Sequence, residues 1–136
     1  MKLFRTLLYT AALAMTATAG HAATYYASEV VSFTPGVFYD VWPGRDDPTS
    51  ALGAADGDFV SLGIGGEIVL SFGIDFHAGG LIYEETYGSR HNYAESADIY
   101  ASADGVTWDL ISSVSNGSQA TAYDITETYS LSLIHI

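Results

Sequence analysis

Between Glu67 and Ile74 the chain reads EIVLSFGI, and Ile68, Leu70, Phe72 and Ile74 fall on every second position. A period of two belongs to a β-strand that presses one face on a core and leaves the other looser or wet. This strand closes a longer stretch, Ala51 to Gly73, which also holds an acidic turn (Asp56-Gly57-Asp58), a short apolar strand and a glycine break at Gly65-Gly66. Beyond residue 22 no segment sustains an apolar repeat of 3.6 residues, so the expected class is all-β.

The rest of the chain fits that class. Thr24 to Phe33 is rich in Tyr and Val and reads as a first strand, Pro35-Gly36 as a turn, Val37 to Trp42 as a short strand, and residues 43–48 as a loop. Ser50 to Gly53 can start a single helical turn. Gly79 to Tyr87 is a further strand with Leu81, Tyr83, Glu85 and Tyr87 on one side. Ala97 to Ile111 reads as a hairpin around Asp104-Gly105, a dipeptide favoured in two-residue turns of positive φ. Counting outward pairs Ala101 with Trp108 and Ile99 with Leu110. That register puts Ile99, Ala101, Val106, Trp108 and Leu110 on one face, with Trp108 in the core. A second hairpin at Asn116-Gly117 would set Asp109 against Asp124, a repulsive pair, so either a cation sits there or the chain crosses to a second sheet, and the crossing is the expectation.

Met1 to Ala22 has the form of a signal peptide: Lys2 and Arg5, then an apolar run from Leu7 to Met15, then small residues at Gly20 and Ala22, with Ala17-Thr18-Ala19 as a competing cleavage site. The apolar run is shorter than the roughly 20 residues a membrane span needs. Export to the cell surface or the extracellular space is the consequence, without membrane insertion of the mature domain. The formal net charge is -12, and loss of the leader leaves Arg45 and Arg90 against sixteen acidic residues. Nucleic acid and anionic membrane surfaces, which are bound through Lys and Arg, are therefore poor partners. With no cysteine in the chain, stability must come from the packed core, with or without a bound cation.

Two strings, ALGAADGDFVSLGIGGEIVLSFG (residues 51–73) and SADIYASADGVTWDLISSV (residues 96–114), carry a family resemblance. They resemble an extracellular bacterial domain found in proteins with a PEP-CTERM sorting tail, and the likeness runs from about Val31 to Tyr129. It implies an antiparallel β-sandwich of jelly-roll type, related to discoidin and galactose-binding modules, and it implies no known reaction. The likeness ends where the last six residues, LSLIHI, begin. Those residues are also what a transposase-end adapter used in sequencing libraries encodes. The expectation is a leader (1–22), a sandwich domain (23–130) incomplete at its C terminus, and a non-native tail (131–136), with a genuine divergent last strand as the other reading of those six residues.

Asp40, Asp46, Asp47, Asp56 and Asp58 lie in loops around residues 51–73. Calcium takes several oxygens from such Asp-x-Asp turns, and the resemblance implies a structural calcium, for which Asp46, Asp47, Asp56 and Asp58 are the candidates. Solvated loop acids are the plainer reading. Glu84 and Glu85 are adjacent in a strand and leave opposite faces, so they do not make a catalytic pair. His77 and His91 lack a second ligand at metal spacing, no Gly-x-Ser-x-Gly elbow occurs, and Gly63-Ile64-Gly65-Gly66 leads into no helix and reads as a turn. The ten tyrosines and two tryptophans point elsewhere, because aromatic faces stack on sugar rings. Trp42, Tyr87, Arg90, Asn92 and Tyr93 lie in loops and form the candidate sugar patch. Two roles follow: a non-catalytic surface or matrix module that contacts extracellular polysaccharide through loop aromatics, or a structural spacer that presents a sorting tail.

Overall fold

The computed structural model describes residues 8–10, 24–37, 45–77, 79–85, 96–115 and 120–136. Strand β4 (Glu67–Phe76) is the longest element, and β2 (Glu29–Thr34) lies along one side of it. On its other side runs β9 (Tyr129–His135), followed by β6 (Ser96–Ser102) and β7 (Asp109–Ser115). Together they form a five-stranded sheet in the order β2-β4-β9-β6-β7. The second sheet has four strands in the order β3-β1-β5-β8, from β3 (Val60–Ser61), β1 (Leu8–Thr10), β5 (Gly80–Glu85) and β8 (Ala120–Tyr123). Every pairing is antiparallel. The chain is thus a β-sandwich, as the alternating pattern requires.

Ile68, Leu70 and Phe72 share the inner face of β4 and are almost wholly buried, together with Ile99, Ala101 and Ile134 from β6 and β9. Leu62 and Val60 on and beside β3, and Ile82 on β5, belong to the same core. The period of two breaks at Gly73, which has a φ of 68°. The β4–β9 register shifts between Ser71 and Phe76, leaving Ile74 exposed and returning Phe76 to full burial. Phe76 meets Phe72 edge to face, with ring centroids 5.2 Å apart. Where residues 63–66 turn back toward Gly36, a Cβ at Gly36 would collide with the Ile64 carbonyl, and one at Gly66 with the Leu62 carbonyl. Only glycine permits that approach.

Three expectations need correction. The first strand begins at Glu29, not Thr24, although Ala27 is buried. The hairpin at Asp104-Gly105 exists, but its strands end at Ser102 and resume at Asp109, so its loop is wider than two residues. Observed partners are Tyr100 with Leu110 and Ala101 with Asp109, with a bulge between Ile99 and Tyr100. As a result Val106 and Leu110 are exposed, while Val114 is buried and Ile111 packs against the core. Trp108 is half-buried on the outer surface and takes no part in the core.

The loop is wide because side chains hold it open. The Asp104 carboxylate accepts hydrogen bonds from the Val106 and Thr107 amides, each at 2.8 Å. Ser102 Oγ accepts from the amides of Gly105 at 2.8 Å and Asp104 at 3.2 Å. Four backbone donors find side-chain acceptors, which a tight two-residue turn would not need.

Two other expectations, the crossing and a short helical turn, hold. Strands β7 and β8 lie in different sheets, so the chain crosses between them, the expected one of the two ways to avoid an Asp109–Asp124 pair. A 3-10 helix occupies Pro48–Ala51. Residues 131–136, expected to be foreign to the domain, supply most of β9 and are paired with β4 on one side and β6 on the other.

Candidate functional site

The outer face of the five-stranded sheet is built from the residues that alternate with the core set. Register places Val69 of β4, Leu133 of β9 and Tyr100 of β6 in one row, and Glu67, His135 and Asp98 in the next. Trp108, carried over this face by the wide loop, completes a trough with Glu67, Tyr100, Leu133 and His135. Its volume is about 270 Å3, below the roughly 300–1,000 Å3 of enclosed small-molecule pockets. Such a shallow site suits a flat ring laid on a surface better than a buried ligand.

Two aromatic side chains, one aliphatic one and a polar pair make up the lining. Glu67 Oε2 lies 3.8 Å from His135 Nδ1, and both side chains are a little under half exposed. Beside them Asp98 accepts a hydrogen bond from Ser113 Oγ at 2.6 Å. Leu133 and His135 come from β9, Tyr100 from β6, Glu67 from β4 and Trp108 from the loop before β7. The sequence carried a signal for this site in the outward alternation of Glu67, Val69 and Tyr100. It was obscured by the assumed hairpin register, which sent Trp108 inward.

Of the residues expected to bind sugar, Trp42, Tyr87, Arg90, Asn92 and Tyr93 all lie outside the described residues, as do Asp40 and His91. The candidate calcium ligands are described. Asp47 caps the 3-10 helix: its Oδ1 accepts from the Thr49 amide at 2.9 Å and the Thr49 hydroxyl at 2.6 Å. The hydroxyl contact, followed by the amide contact, holds its carboxyl below the usual range. Asp56 Oδ1 accepts from the Asp58 amide at 2.9 Å. Among the described residues, no three His, Asp or Glu side chains converge as a metal group.

Asp109 at the start of β7 and Tyr129 at the start of β9, strands separated by β6, are joined through their side chains. The phenol donates to Asp109 Oδ2 at 3.0 Å. Burial raises the Tyr129 phenol above its ordinary value, and the Asp109 carboxylate adds to that. Arg45, one of two arginines outside the leader, stands over the Phe59 ring at 5.2 Å.

No family model matches this chain, and no curated protein matches it. Among solved structures it is similar to the C-terminal domain of a chitobiase from Bacteroides fragilis. The TM-score is 0.51, with 20% identity over 79% of each chain. Agreement at that identity extends to the fold alone. Among the described residues no helix is long and apolar enough to cross a membrane.

Proposed function

We propose that this chain is an exported, non-catalytic surface or matrix module that holds polysaccharide on the outer face of its five-stranded sheet. Trp108 and Tyr100 provide the stacking surfaces. The observation that carries this reading is the open trough in which both aromatic rings flank Glu67 and His135. Apolar ring faces cover the hydrophobic side of a sugar, while a carboxylate and an imidazole bond to its hydroxyls.

Three further points support it. The fold is shared with a domain of a chitobiase. The resemblance to PEP-CTERM proteins implies the cell surface or its polysaccharide matrix. Among the described residues that line the trough Glu67 is the one carboxylate, whereas glycoside hydrolysis ordinarily uses two, about 5 to 9.5 Å apart. Trp42, Tyr87, Arg90, Asn92 and Tyr93 stay in this proposal as a second contact set, on the sequence reading alone.

A glycan array that includes chitin oligomers tests the reading. The chain binds at least one neutral polysaccharide, and Trp108→Ala weakens that binding about tenfold or more, equivalent to about 1.4 kcal/mol. Because Trp108 lies outside the core, the variant keeps its thermal midpoint within a few degrees. An array with no binding at all would leave the spacer role in its place. Undiminished binding by both Trp108→Ala and Tyr100→Ala would remove the trough from the account.

A further inference from the structure

The register of the five-stranded sheet lays two rows of different character side by side across its outer face. One row runs from Thr34 through Glu67, His135 and Asp98 to Ser113, each residue paired with the next on a neighbouring strand. The other runs from Val69 through Leu133 and Tyr100 to Leu110. Residues paired in this way stand about 4.5 to 5.5 Å apart at Cβ. The polar row therefore spans the whole sheet, four strand spacings or roughly 19 Å. Trp108 lines the trough together with Glu67 and His135 of the polar row and Leu133 and Tyr100 of the apolar one.

The polar row carries negative charge. Glu67 lies on one side of His135, with Oε2 3.8 Å from Nδ1, and Asp98 is the register partner of His135 on the other side. No lysine or arginine occurs among the described residues of either row. Beyond residue 22 the sequence holds Arg45 and Arg90 as its only such residues, and Arg45 stands over the Phe59 ring, just before β3 of the other sheet.

A sugar ring laid flat on Trp108 or Tyr100 turns its edge substituents sideways, toward the polar row. A hydroxyl or acetamido group there makes a neutral hydrogen bond. An ammonium group does more, because an ionised carboxylate only accepts and its bonds to a cation are the stronger kind. The same positive charge is drawn to aromatic faces. A uronate in that position meets like charge instead.

We infer that the trough selects polysaccharide bearing free amino groups over neutral and uronic-acid polymers, an inference that rests on the sugar-binding reading above. Trp108 and Tyr100 stack the rings and Glu67 takes an ammonium. Asp98, two strand spacings from Glu67 or roughly 10 Å, takes a second amine on the same polymer, which thus lies across the strands and along the rows.

Titration of the full chain with three oligomers of equal length tests this: glucosamine, N-acetylglucosamine and a uronic acid, all in one mildly acidic, low-salt buffer that protonates the amines. The glucosamine oligomer binds about tenfold more tightly than the acetylated one, and the uronate binds most weakly. Salt shrinks the advantage. Glu67→Gln removes most of it and Glu67→Gln with Asp98→Asn removes the rest, while both variants still bind the acetylated oligomer and keep the parent thermal midpoint. Trp108→Ala weakens both sugars. Equal affinity for the two, with the acetylated oligomer bound through Trp108, would overturn this inference and leave the reading beneath it standing. An advantage undiminished in the double variant would also overturn it, by assigning the preference to the acidic surface at large. No binding of any of the three would remove both.

Discussion

Trp108 shows how much one register step decides. The dipeptide Asp104-Gly105 marks the turn correctly, and Gly105 does take a positive φ, at 72°. Ser102 and Asp104 then widen the loop by accepting four backbone amides. Turn composition reveals where a chain reverses more readily than how many residues the reversal consumes. That extra length delivers the indole to the outer face instead of the core. The Asp104 carboxyl is held below its ordinary range, chiefly by the Thr107 amide and then the Val106 amide. A depressed folded-state value means the native chain binds fewer protons than the unfolded one as pH falls through the carboxylate range. The contribution is therefore complete above the unfolded value, about 4, and lost as pH drops through the depressed one. Asp104→Asn is expected to lower the urea midpoint at neutral pH, and its deficit against the parent chain shrinks as the buffer is acidified below about pH 4. A deficit unchanged between neutral and strongly acidic buffer would remove the carboxylate from the loop's support.

At the scale of elements, the strand most legible in the sequence is also the one the sandwich rests on. Ile68, Leu70 and Phe72 alternate and are buried as a set. The pattern gave no notice of the Gly73 break, which exposes Ile74 and buries Phe76 in its place. Phe76→Ala is expected to destabilise the fold by about 3 to 5 kcal/mol, because it removes a ring packed on Phe72 and leaves a cavity. Ile74→Ala costs much less, and equilibrium denaturation of the two variants side by side checks the difference. The crossing from β7 to β8 was favoured by charge, since pairing them would have set Asp109 against Asp124 unless a cation bridged them. The paired geometry instead gives Asp109 to the Tyr129 hydroxyl. Strand pairs distant in sequence, such as β4 with β9, leave no local mark, so the order of the sheets emerges only from the fold.

For the whole molecule, the dominant physical facts are two antiparallel sheets and a large negative charge. Self-repulsion at a formal net charge of -12 opposes compactness, and salt screens it. Raising sodium chloride from low to physiological concentration is expected to raise the thermal midpoint. Calcium at matched ionic strength is the arm that tests the proposed ion at Asp46, Asp47, Asp56 and Asp58. An increment beyond that of sodium, lost in Asp56→Asn, marks a bound ion, and equal curves mark solvated acids. The sugar-binding proposal depends on the outer face of the five-stranded sheet, and its most direct test is the emission of Trp108 itself. In a Trp42→Phe chain Trp108 is the only indole left. Titration with a polysaccharide that the array identifies is expected to shift that emission to the blue in a saturable manner, as the ring leaves water. Full binding of the same polysaccharide with no change in Trp108 emission would contradict the account.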